Sequence, residues 1–199
     1  MESKKKSKKN KNTIDKISIS TGFLNWFKSN KIVLKFVGYF GLFIASYYIL
    51  INIGWLDGFL DFYKQSTAVI SSGILNILGS NTYTDASKIL TTGFSLEIGT
   101  GCEGTEPIAI FLSALFAFPM KFKFKLPGII SGILVLYILN QIRIVILFYV
   151  GISAPNTLRT LHDEVFPIIF IFIAIILWGI WLGWSVKKSK NLKLKLTQT

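Results

Sequence analysis

The chain has 199 residues, 51% hydrophobic, 15% aromatic and only 16% charged, with a mean hydropathy of +0.54. A soluble domain of this length carries more charge, and the apolar residues here fall in long runs, so the bilayer is the expected solvent. One cysteine and one histidine exclude an internal disulfide framework, a Cys-rich zinc site and a multi-histidine metal centre within one chain, and no cofactor or metal is expected.

The net charge of +12 does not point to nucleic acid, because of where it sits. Residues 1–35 hold ten lysines against Glu2 and Asp15, "KFKFK" at 121–125 holds three, and the tail from Lys187 holds five with no acid. Eighteen of the 22 cations therefore lie in three short blocks, each flanking an apolar run, which is the pattern of the positive-inside rule rather than of a duplex-binding face.

In chain order, residues 1–31 form a basic arm, opening "MESKKKSKKNKNT", expected to be disordered and cytoplasmic. No cleavable signal peptide is expected, since the first apolar run begins late and is long. That run, 32–54, is 23 residues and long enough at about 1.5 Å per residue to cross a core of about 30 Å. The stretch "AVISSGILNIL" (68–78) is too short to span and reads as an interfacial or re-entrant helix. Residues 81–101 read as a small external hairpin, because Phe94, Leu96 and Ile98 alternate with Ser95, Glu97 and Gly99.

Three further runs can cross: 104–120, only just sufficient, 126–151, and 165–186 with Trp178, Trp181 and Trp184 as an interfacial belt. With the lysine-rich N-terminus in the cytoplasm, four crossings put every lysine block inside and most acids outside. The expected fold is an all-α integral membrane protein of about four transmembrane helices, an interfacial helix and a small extracytoplasmic hairpin. A transmembrane catalytic domain at 32–186 then lies between the basic arm and a basic cytoplasmic tail at 187–199. The location is the cytoplasmic membrane.

That topology brings three chemically notable residues to the outer layer. Cys102, in "GCEG", precedes the second span, and His162, in "RTLHDEVFP", falls in the loop before the fourth. Arg143 lies eight residues short of Gly151, about 12 Å below that end, within reach of a snorkelling guanidinium. An arginine in a span costs at least about 2.5 kcal/mol on insertion scales, so it should face the bundle and find a polar or anionic partner. Glu97, Glu103 and Glu106 are candidate structural partners, and Asn140 shares its helix face.

Around Cys102, glycines allow close backbone approach, and Pro107 followed by an apolar run marks a helix N-terminus, which favours thiolate. Glu103 and Glu106 oppose that, and also suit a helix's first turn as dipole-complementing carboxylates. A thiol needs a base, and a neutral imidazole is the usual one; Asp163 is placed to orient it or to cap the last helix. Together the residues point to nucleophilic acyl transfer. Cys102 attacks a carbonyl, His162 trades protons, and Arg143 stabilises the oxyanion or holds the substrate.

"GCEG" followed by "FLSALFAFP", then "LNQIRIVILFYVG", then "LH" before the last helix resembles the exosortase and archaeosortase family, over residues 99 to about 184. Within it the chain is most similar to the short exosortase H type. The resemblance implies a multi-pass membrane cysteine transpeptidase, with the nucleophile at Cys102, the arginine at Arg143, the histidine at His162 and the preceding asparagine at Asn140; Glu103 and Glu106 are assigned supporting roles. It implies as partners exported proteins ending in a short motif, a hydrophobic helix and a basic cluster, cleaved through a thioacyl intermediate on the extracytoplasmic side and passed to an amine or water. The residues alone also fit a small transporter subunit binding an anion through Arg143 and Asn140, or an assembly partner whose arginine pairs helices.

Overall fold

The computed structural model describes residues 30–99 and 101–196. Most of the expected basic arm, and the last three residues of the tail, lie outside the described residues.

Helix α1, Lys31–Asn52, has no side chain buried among the described residues, and Ile32, Val37, Leu42 and Ile49 point outward, as a helix apolar all round does when lipid is its solvent. Helix α2, Asp57–Ile77, is a full 21 residues rather than the short segment expected from "AVISSGILNIL". The discrepancy has a physical cause: Tyr63, Thr67 and Ser71 place polar groups every four residues, which lowers the apolar signal of the first half. A three-stranded antiparallel meander follows, β1 Tyr83–Asp85, β2 Lys88–Thr91 and β3 Phe94–Glu97, one strand more than the expected hairpin. Ile89 faces Leu96 across β2 and β3, and both are buried together with Ile98, so the period-two pattern does bury one face.

Helix α3 is Thr105–Ala117, 13 residues or about 20 Å, shorter than the 17-residue span expected. Gly104, left-handed at φ 79°, sets its start, and Phe118 in extended conformation before Pro119 sets its end. Helix α4 is Phe122–Ser153, absorbing most of the "KFKFK" block. A short helix α5, Pro155–Thr160, runs through a π-helical turn, Leu161–Val165, into helix α6, Phe166–Leu196. His162 therefore sits in a helical turn and not in the expected loop, and residues 187–196 continue α6. Among the described residues three helical segments are long and apolar enough to cross a membrane: Lys31–Asn52, Phe122–Ser153 and Pro155–Asn191.

Helix α3 runs between the same two ends as its long neighbours. Asn140 of α4 meets the turn before α3, and further down Phe116 of α3 accepts a hydrogen bond from Lys125 Nζ at 2.8 Å. Helix α6 is also antiparallel to α4: Phe166 and Phe170 lie by Arg143, whereas Trp181 donates to Phe124 O at 2.9 Å. Helix α1 runs the other way, with Phe36 packed on Trp178 and Tyr47 bonded to Thr105. The starts of α1 and α4 and the far end of α6, where the lysine blocks lie, thus share one end. The sheet, Cys102 and His162 share the other.

Two apolar cores hold this arrangement. Near the lysine end, Phe111, Leu115, Leu136, Phe170, Ala174 and Trp181 join α3, α4 and α6. At the sheet end, Ala68, Leu75, Ile89, Leu96, Ile98, Ile144, Leu147 and Phe148 enclose Cys102. Helix α2 lies over that half of α4: Tyr63 packs on Tyr137, Ser71 donates to Gln141 at 2.6 Å, and Ser80, just beyond α2, bonds Tyr149.

Candidate active site

Cys102 sits in the tight turn between β3 and α3, where Gly101 and Gly104 both take positive φ. Its N–H donates to Gly99 O at 3.0 Å. Gly104 is required twice over, by its φ and because a Cβ there would lie 2.6 Å from Asn140 Cγ. Asn140 reads this turn directly, its Nδ2 donating to Cys102 O at 3.2 Å and Glu103 O at 3.0 Å.

Arg143, one turn further along α4, is the clasp of the site. Nη1 donates to Gly101 O at 2.9 Å and Nη2 to His162 O at 3.2 Å, so a single guanidinium joins the cysteine turn to the histidine turn. Phe166 and Phe170 flank it, with its carbon 5.5 and 5.6 Å from their ring centres, a cation–π setting that compensates part of the lost hydration. No ion pair to Glu97, Glu103 or Glu106 forms among the described residues. Backbone carbonyls take the place of the carboxylate partner considered from sequence.

His162 Nδ1 lies 2.6 Å from Asp163 Oδ1, and Asp163 is also 3.5 Å from Arg159 Nε. Adjacent residues seldom meet this way, but the wide π turn permits it, and such turns recur at functional sites. The contact fixes the ring and leaves Nε2 as the nitrogen open to exchange a proton. Among the described residues no hydrogen bond joins the ring to Cys102 Sγ.

The thiol is 1% exposed. Burial pushes it up to about 11; Arg143 acts against that, and Glu103 adds to it. In the described state Cys102 is a protonated, shielded thiol. Glu103 Oε1 accepts from Thr105 Oγ1 at 3.2 Å, and Thr105 bonds Tyr47 OH at 2.7 Å. Burial also raises the Glu103 carboxyl above its ordinary range, with Lys64 and Thr105 opposing. Glu106 lies in the first turn of α3, half-buried. No group of three or more His, Cys, Asp or Glu able to hold a metal exists among the described residues.

The structure thus brings Cys102, Glu103, Asn140, Arg143 and the His162 backbone around one turn. Residues 17–186 match the family described as Transmembrane exosortase (Exosortase_EpsH). The chain belongs to the transmembrane exosortase family. Membership gives a multi-pass membrane protein with a transpeptidase-type role. No curated protein and no solved structure matches the chain. In this exosortase the contributions not read from sequence are those of Gly101 O, Phe166 and Phe170, none of which carries a signal of its own in the chain.

Proposed function

We propose that the protein is a membrane-embedded cysteine transpeptidase that cleaves the C-terminal sorting signal of exported proteins, with Cys102 as nucleophile, His162 as acid and base, and Arg143 as clamp and charge stabiliser. The observation that carries this reading is the Arg143 bridge: one guanidinium ties the turn bearing the sole thiol to the turn bearing the sole imidazole.

In the first step Sγ attacks the scissile carbonyl and its proton passes to His162 Nε2. The C–N bond breaks and the leaving amine takes that proton, leaving a thioester on Cys102. An amine or water then releases the acyl group. Because the resting thiol is buried and protonated, substrate entry must open the turn enough for the imidazole to reach Sγ. The natural setting is the cytoplasmic membrane with the lysine end inside and the site outside. A sorting signal whose basic cluster stays in the cytoplasm then presents its motif at the level of Cys102, and shared anchoring in the bilayer supplies much of the orientation.

The test is to trap the thioacyl enzyme in native membranes and identify the peptide on Cys102 by mass spectrometry. Cys102→Ala should carry no peptide and should accumulate an uncleaved exported precursor. A Cys102→Ala strain that processes all its precursors normally would sink the reading.

A further inference from the structure

Among the described residues, six buried polar side-chain atoms along the α2–α4 seam and the cysteine turn have no partner: Tyr63 Oη, Thr67 Oγ1, Gln141 Nε2, Arg143 Nε, Glu103 Oε2 and Asn140 Oδ1. A buried polar atom left unpaired costs roughly 1–3 kcal/mol, and native proteins leave few of them. Around the cysteine turn Arg143 Nε is a donor, whereas Glu103 Oε2 and Asn140 Oδ1 are acceptors. Asn140 spends its Nδ2 on the carbonyls of Cys102 and Glu103, which fixes Oδ1 as the free atom. Glu103 spends Oε1 on Thr105 and keeps Oε2. Glu103 is 3% exposed and forms no ion pair among the described residues. Two cations act on it without pairing to it: Lys64, 3.8 Å from Asp61, and Arg143, whose Nη1 and Nη2 donate to backbone carbonyls.

A ligand that satisfies the two acceptors must bring several donors, and positive charge to match the Glu103 carboxylate. A divalent metal ion fits poorly, since it favours several oxygen ligands and no group of three or more His, Cys, Asp or Glu gathers here among the described residues. A primary ammonium fits: one charge and three N–H donors on a compact head. We propose that Glu103 and Asn140 form a subsite for a primary ammonium group, whose natural occupant is the amine that resolves the Cys102 thioester. The second clause rests on the transpeptidase reading above.

The step balances. The amine arrives as ammonium and gives one proton to the Glu103 carboxylate. Its freed lone pair forms the C–N bond to the thioester carbonyl as C–S breaks. Sγ leaves as thiolate and takes the second N–H proton, giving an amide and a neutral thiol, and Glu103 returns its proton to solvent. The raised Glu103 carboxyl suits it to accept the first proton.

The subsite can be tested without knowing the substrate, on the full-length protein in detergent. Cys102 is labelled with aminoethyl methanethiosulfonate, which carries an ammonium, and with the neutral methyl reagent. The ratio of the two rates cancels any change in the thiol's own ionisation. Glu103→Gln should lower that ratio at least tenfold, while Glu103→Asp, which keeps the charge, should retain most of it. An unchanged ratio in Glu103→Gln overturns the subsite. The acceptor role is read from the trapped thioester, where Glu103→Gln should lower the preference for propylamine over hydroxylamine at least tenfold; an unchanged preference overturns it. If no thioester forms on Cys102, the transpeptidase reading falls and takes the acceptor role with it, but the reagent ratio still stands or fails by itself.

Discussion

Desolvation sets the state of Cys102 before any substrate arrives. Buried and pushed up to about 11, the thiol is almost entirely protonated at neutral pH. Its alkylation by iodoacetamide should therefore climb about tenfold per pH unit from pH 7 to pH 10, because the thiolate fraction does. A plateau between pH 7 and 8 would mean that the thiol is already activated at rest. Arg143 invites a second residue-level test. Arg143→Met leaves Gly101 O and His162 O without their donor, at about 1–3 kcal/mol for each carbonyl, and should lower the unfolding temperature. Arg143→Lys keeps the charge, but a point donor cannot span both carbonyls. It should fold better than the Met variant yet process precursor at least tenfold more slowly than the parent, as followed by immunoblot. Parental processing by Arg143→Lys would remove the clamp from the mechanism. At this scale much of the site was legible, because a sole thiol, a sole imidazole and an arginine inside a span are each costly or rare enough to stand out. The carbonyls that Arg143 grips were not, since every residue carries one and only the folded chain says which is near.

Between turn and helix, the decisive contact is Gly104 against Asn140. Gly104→Ala meets a left-handed φ, costing about 1–2 kcal/mol, together with a side chain that has no room beside Asn140 Cγ. Asn140→Ala relieves the crowding and leaves the strain. The double variant should thus be less destabilised than the two single effects added, by about 0.5–3 kcal/mol in thermal or denaturant unfolding. Strict additivity would show that the turn and α4 are not in contact as described. The long helices were readable in sequence because unbroken apolar runs bounded by lysines have few other solutions. The polar face of α2 was not: Tyr63, Thr67 and Ser71 are turned onto α4, where Ser71 meets Gln141, so a tertiary partner and not hydropathy decides that the helix forms there. The turn of His162 was read as a loop for a related reason. A π-helical register is fixed by what its neighbours demand, here the reach of Arg143 Nη2, and no local propensity announces it.

Across the whole molecule, charge is sorted by end. Lys31, Lys35, Lys121, Lys123, Lys187 and Lys188 lie toward one end of the bundle, while Asp85, Glu97, Glu103, Asp163 and Glu164 lie toward the other, around the sheet and the site. Helices that alternate in direction could in principle insert either way up, so packing does not choose between the orientations. In the orientation proposed above the lysines choose, because retaining them in the cytoplasm avoids carrying that charge across the membrane. Single cysteines placed in a Cys102→Ser background read the outcome. Asp85→Cys, exposed at the end of β1, should be labelled in intact cells by a membrane-impermeant maleimide. Lys123→Cys, exposed near the start of α4, should be labelled only after lysis. The reverse pattern would place the thiol on the cytoplasmic side, where no exported tail could present its motif, and the sorting role would fail even with every contact at the site intact.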